Sequence, residues 1–388
     1  MKKTVTTLML AFALAAAARA QGADGGVRAA LTALPDSQAV LYVNARRITN
    51  DALPRVVPAA QLDKFFGELR KEVNVDLRSV EYVVLVARYD VNSFDASAVP
   101  DFGVAVRGGF NADALLSVLR LARPAQYRAE THGDKRIDIY TIPFEAPKTE
   151  AGAEAALVPE PAKPQPMKLP TELAVVSLGP DELLAGTPSY VRAVIDARGG
   201  GAGARIRADL VDLALQNPDA LVSLTGDLPP NLSKLFDTAA GAAGQSDVAA
   251  GLMNDEIRRL ADSLRQLQLS LSMTPAEFGL QTTLRTERPE DARALSGLVD
   301  FGVNALEQGI RKDLVGKSAK SRASAQKVLA LVRSLVNTTR DSDLTLSLSV
   351  AQATVADFVN QITAPPTPQK RAAPQRRGRA RTATRRRA

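Results

Sequence analysis

The stretch QLQLSLSM, residues 266–273, decides the fold class. Leu267, Leu269, Leu271 and Met273 alternate with Gln268, Ser270 and Ser272. Successive side chains of an extended chain point to opposite faces, so this is a strand with one apolar and one polar face. DLTLSLSV (343–350) repeats the device with Leu344, Leu346, Leu348 and Val350. Such alternation belongs to an antiparallel sheet whose leucine side is packed and whose Ser/Thr side is wet.

Working outward, AVLYVNA (39–45), FGVAVRGGF (102–110), RIDIYTIPF (136–144) and LAVVSLG (173–179) read as further strands. VEYVVLVARY (80–89) is apolar on both faces, the pattern of a central strand covered twice. Helical periodicity intervenes at 61–73, at 111–122 behind an Asn111 N-cap, and at 324–336. DEIRRLADSLRQL (255–267) carries Ile257, Leu260, Ala261 and Leu264 at helical spacing. Residues 289–314 open with Pro289 and two acids, a favourable helix start. The predicted class is α+β: two similar halves, each an antiparallel or mixed sheet with helices packed on one face.

The suggestion of two halves comes from recurring order. PDFGV (100–104) is answered by AEFGL (276–280), each on a strand that precedes a helix. LPDSQAVLYV (34–43) is answered by NPDALVSL (217–224). The predicted organisation is a signal peptide at 1–20, a first half at 21–198, a Gly-rich linker GGGAGAR at 199–205, a second half at 206–363 and a basic tail at 364–388. The Pro/Ala/Glu-rich run 145–171 is expected to be a disordered excursion within the first half.

The start of the chain sets the expected compartment. Lys2 and Lys3 precede an apolar run from Leu8 to Ala18, and Ala18-Arg19-Ala20 offers small residues at a cleavage site. The run is shorter than the roughly 20 residues that span a hydrocarbon core. The chain is therefore expected to be exported, periplasmic or extracellular, with no transmembrane helix in its mature form. It has no cysteine, which removes disulfides, thiolate metal sites and cysteine nucleophiles.

The formal charge of +7 is concentrated at the end. Lys370, Arg371, Arg376, Arg377, Arg379, Arg381, Arg385, Arg386 and Arg387 are the tail's cations, and the body before them is net acidic. Arginine clusters neutralise phosphates without needing a fold. The tail has no aromatic residue to stack on bases, so its binding is expected to be electrostatic and indifferent to sequence. Behind a signal peptide, the expected polyanions are envelope polymers and lipid head groups, and export argues against nucleic acid. An idle solvated terminus is the plain alternative.

Catalytic patterns are few. Ser324 and Lys327 fit S-x-x-K, the nucleophile pair of penicillin-recognising enzymes, but the S-D-N and K-T-G partners are absent. His132, the single histidine, sits in Thr131-His132-Gly133-Asp134, a hairpin-tip composition. One histidine and no cysteine leave no zinc set, and no cofactor is expected. Asp341 and Asp343 share a strand face at a strand entrance, where turn acids are common.

LPDSQAVLYVNARRI (34–48) resembles the opening of uncharacterised exported bacterial proteins, some with a duplicated α+β body. That resemblance implies the fold class and no site residues, since those families carry no assigned activity. The sequence favours a non-catalytic envelope protein with a binding or scaffold role, a protein partner included. Two other classes stand beside it: a carrier of an apolar ligand such as a lipid, held between the sheet and helix 289–314, and a serine hydrolase using Ser324 and Lys327.

Overall fold

The computed structural model describes residues 23–73, 76–91, 100–122, 127–142, 170–201, 203–230, 232–233, 255–313 and 319–356. The predicted signal peptide, nearly all of the 145–171 run and the basic tail lie outside them.

The first strands are β1 (Ala39–Val43), β2 (Val80–Arg88), β3 (Asp101–Gly108), β4 (Tyr127–His132, unmarked in the sequence pattern), β5 (Lys135–Thr141) and β6 (Glu172–Gly179). They continue as β7 (Glu182–Gly186), β8 (Ala220–Asp227), β9 (Leu264–Met273), β10 (Glu277–Thr286), β11 (Leu335–Arg340) and β12 (Asp343–Ala351). The eight longer helices are α1 (Ala23–Thr32), α2 (Ala59–Val73), α3 (Ala112–Ala122), α4 (Pro188–Arg198), α5 (Ala208–Ala214), α6 (Asp255–Asp262), α7 (Pro289–Asp313) and α8 (Ala319–Arg333).

The class is α+β. Twelve strands form one sheet in the order β11-β12-β10-β9-β8-β1-β2-β3-β7-β6-β5-β4, and every pairing is antiparallel. β1 and β8 join the early and late strands at the centre, with Leu41 opposite Leu224.

Helices cover both faces rather than one, because β1 and β2 are apolar on both sides. On one face Val40, Tyr42, Val84 and Val86 pack against Val27 and Leu31 of α1, Tyr190 and Val191 of α4, and Leu210 of α5. On the other, Val43, Val83 and Val106 pack under Leu62, Phe66 and Leu69 of α2. Each fully buried aliphatic side chain contributes roughly 1.5–3 kcal/mol of transfer free energy. Tyr190 lies flat against Gly103, where a Cβ would come within 2.6 Å of its ring, and its hydroxyl meets Ser37 Oγ at 2.9 Å.

Two helices end earlier than their periodicity predicts. The pattern at 255–267 is helical only to Asp262, where Ser263 Oγ donates to the Leu260 carbonyl and β9 begins at Leu264. The pattern at 324–336 gives way after Arg333, where Ser334 Oγ donates to the Leu331 carbonyl and β11 starts at Leu335. In both places pairing with neighbouring strands outweighs local helical periodicity. Asn111 caps α3 as expected, its Oδ1 accepting from the Ala114 amide at 2.9 Å.

Candidate functional site

Lys370, Arg371, Arg376, Arg377, Arg379, Arg381, Arg385, Arg386 and Arg387 lie outside the described residues. Ser324 and Lys327 fall on α8 one turn apart, and their side chains lie outside the described residues too. His132 ends β4 at a hairpin whose Gly133 takes φ 58°. Its Nε2 is 2.8 Å from Asp196 Oδ1, its one hydrogen bond among the described residues. Asp341 turns the β11–β12 hairpin with φ 51°, while Asp343 is clamped by Arg285 at 2.8 and 3.0 Å.

The deepest carboxylates are also clamped. Asp138 accepts from Arg120 Nε at 2.6 Å and from the Tyr127 hydroxyl at 3.1 Å. Asp291 accepts from Arg259 at 2.6 Å and Arg288 at 3.0 Å. Burial pushes the Asp291 carboxyl up, but the two guanidinium groups outweigh it and hold it below the usual range. A carboxylate fixed in its ionised form is poorly matched to general acid–base work near neutrality. No cluster of three or more His, Asp or Glu able to hold a metal ion occurs among the described residues.

The feature that departs furthest from expectation is the late part of the sheet. Antiparallel partners directly opposite each other share a face. One in-register row therefore runs Leu335, Leu348, Leu280, Leu271, Val222, Val43, Val83 and Val106 across eight strands. Its Val43, Val83 and Val106 end is buried under α2. In the middle the cover stops: Leu224, Leu269, Leu271 and Leu280 are 36–40% exposed.

The opposite face of the same strands is closed. Ser223, Thr225, Gln268, Ser270 and Thr283 are all 0% exposed. Thr225 stands opposite Gln268, and Gln268 opposite Thr283. Among the described residues, the Ser223 and Thr225 hydroxyls and both amide atoms of Gln268 have no hydrogen-bond partner. The polar side of β9, expected to be wet, is thus the closed one, while its leucine side, expected to be packed, is half-open at Leu269 and Leu271 and buried at Met273. The physical reason is placement: α5 packs on β8 and β1, and Gln266 Nε2 on the polar side reaches its Asp209 at 2.9 Å.

α7 forms one wall of the leucine face. Asn337, in register with Leu346 and so with Thr282 and Leu269, donates through Nδ2 to Ser296 Oγ at 2.8 Å and Asp300 Oδ1 at 2.9 Å. That places the helix on the leucine side, over β10, β12 and β11. Leu298, Phe301 and Leu306 of this helix are exposed, as is Phe65 of α2. An open aliphatic floor therefore lies on β8–β10 between the elements under α2 and those under α7. Its described side chains are aliphatic apart from Thr282, which stands opposite Leu269. Among the described residues no helix is long and apolar enough to cross a membrane.

No protein-family model matches the chain, and no curated protein matches it. Among solved structures it is similar to crystal forms of TP0453. Form III gives a TM-score of 0.39 at 8% identity, covering 85% of this chain and 97% of that one. Form IV gives 0.38 at 9%, covering 86% and 99%, and form I gives 0.36 at 10%, covering 85% and 96%. Likeness at this level decides neither fold nor function.

Proposed function

We propose that the chain is a non-catalytic binding protein of the cell envelope, exported to the periplasm or beyond, and that its open leucine face takes the acyl chain of a lipid. The observation that carries this is the set Leu224, Leu269, Leu271 and Leu280, half-open on three adjacent strands whose polar neighbours are buried. An apolar surface left open in this way marks a binding site. An acyl chain suits the floor better than a peptide strand does. β8, β9 and β10 are interior strands with both edges already paired, so no backbone groups remain to hydrogen-bond an added strand. The floor is largely aliphatic, which asks for neither ring stacking nor hydrogen bonds.

The signal-like start supports export, and the nine tail cations support retention at anionic head groups of the same lipids. Organic-solvent extraction of the full chain purified from an envelope fraction tests the reading, with the extract examined by mass spectrometry. Co-purified acyl lipid is expected, and Leu271→Gln should reduce it. Protein that carries no lipid and binds no fluorescent fatty acid would remove the proposal. Deleting 369–388 should abolish salt-sensitive retention on anionic vesicles, and unchanged retention would take the tail out of the account.

We further infer that 21–198 and 206–363 are copies of one unit. The meanders β1–β2–β3 and β8–β9–β10 support this, as do the helices α3 and α7 that follow them. β7 and β12 each return in a hairpin to lie beside β3 and β10. A crystal structure in which 39–108 does not superpose on 220–286 would dispose of the inference.

A further inference from the structure

On the face opposite the leucines, α1 lies beside a cleft of about 390 Å³, inside the usual range of small-molecule sites. One wall is Gly26, Ala29, Ala30 and Ala33, spaced to share one side of a helical path. The other is the last turn of α4, Ala197 and Arg198, while Tyr82, Arg107 and Glu182 form the floor and Arg205 the rim. These residues come from distant parts of the sequence and meet because β2, β3 and β7 are neighbours.

The charges do not balance. Arg198 is matched by Glu182, bidentate at 2.9 and 2.5 Å. Arg107 is matched by Asp181 at 3.1 Å, with Glu81 at 4.0 Å. Arg205 donates to the Ala197 carbonyl at the end of α4 and has no carboxylate partner among the described residues. Tyr82 is 5% exposed, and its hydroxyl, sealed from solvent, lies against the Arg107 guanidinium. The cleft thus holds one guanidinium, Arg205, without a carboxylate partner among the described residues, beside a wall of alanines.

We propose that this cleft binds a small monocarboxylate with an apolar body. Arg205 takes the charge, and Ala29, Ala30 and Ala33 bed the hydrocarbon. One negative charge completes the balance. A dianion would place a surplus charge near Glu182 and the carbonyl end of α4, and inorganic phosphate has no apolar part for the alanines to cover. The site is independent of lipid on the leucine face, since the two lie on opposite sides of the sheet.

The test is a titration of the full chain with para-fluorobenzoate, followed by fluorine NMR line broadening. Saturable broadening is expected, with inorganic phosphate and para-fluorobenzyl alcohol failing to displace the probe. Arg205→Gln should weaken binding by about ten-fold or more, the size of one charge-assisted contact. Ala29→Leu, at an exposed helix position, should abolish binding by filling the cleft while leaving the melting temperature in place. Leu271→Gln should leave binding unchanged. No saturable broadening, displacement by phosphate, or equal affinity in Arg205→Gln and Ala29→Leu would overturn the proposal.

Discussion

The two faces of β9 can be tested by a pair of substitutions with opposite expected signs. Gln268 is 0% exposed, and neither its amide nitrogen nor its amide oxygen has a partner among the described residues. Each buried polar group left unpaired costs about 1–3 kcal/mol, and Gln268 holds two of them in one side chain. Gln268→Met keeps the unbranched length and removes both, at a packing cost of about 1 kcal/mol or less. The variant should therefore be more stable by about 1–3 kcal/mol. Leu271 is 37% exposed, so it retains about two-thirds of the ~1.5–3 kcal/mol that full burial of a leucine is worth. Leu271→Gln should cost about 1–2 kcal/mol, well short of what a sealed core position would lose. Urea unfolding of delipidated protein, followed by far-ultraviolet circular dichroism, gives both values provided the slopes match the parent. Destabilisation by Gln268→Met would refute the reasoning, because it would mean that the amide is hydrogen-bonded in solution. A loss at Leu271→Gln of about 4 kcal/mol or more would refute it from the other side, by showing the leucine face to be closed.

Other expectations are shorter. Gly103→Ala should destabilise the protein by about 1–3 kcal/mol in the same assay, since the new Cβ would meet Tyr190 ring carbons at 2.6 Å and both are locked in the sheet–α4 interface. Asp291→Asn should lower stability at neutral pH, and its deficit should shrink in acid. A carboxyl held below its ordinary 3.8 stabilises the fold above that value and ceases to as pH falls through the depressed one. Alkali should act through the phenols. Burial, with Asp227 adding to it, pushes Tyr89 up from 10.0 to about 12, and burial likewise pushes Tyr140 to about 12. Their contribution is intact below pH 10 and is lost as pH climbs towards 12, because the unfolded phenols ionise first. The melting temperature should fall steeply over that window, and an ultraviolet phenolate titration should show late-ionising tyrosines. A flat melting profile from 10 to 12 would contradict this.

How far the sequence could be read depended on how local the cause was. Most strand positions followed from hydrophobic patterning, though β4, β7 and β11 did not, and β2 was legible as doubly covered because VEYVVLVARY has no polar face. α1 escaped notice because its small residues make a weak stripe, and its apolar contacts Val27 and Leu31 acquire meaning only against β1 and α5. Alternation sorts the faces of β9 into leucine and Gln/Ser sets, and the structure buries the Gln/Ser set while leaving Leu269 and Leu271 half-open. Periodicity states which side chains share a side of a strand. It does not state which side the helices choose, and that choice is made by α5 and α2, 50 residues and more away in sequence. The arginine cleft was illegible for the same reason. Arg107, Arg198 and Arg205 are unremarkable one by one and become a site only through the neighbour relation β3–β7 and the packing of α4 beside them. The tail, by contrast, is a wholly local signal, and for that reason it carries nothing about what the sheet binds. A chain whose strongest sequence signal lies in its tail can therefore carry its ligand sites where strand order, and no motif, brings residues together. Here the two sides of one sheet offer opposite chemistries, an aliphatic floor at Leu271 and a charged cleft at Arg205.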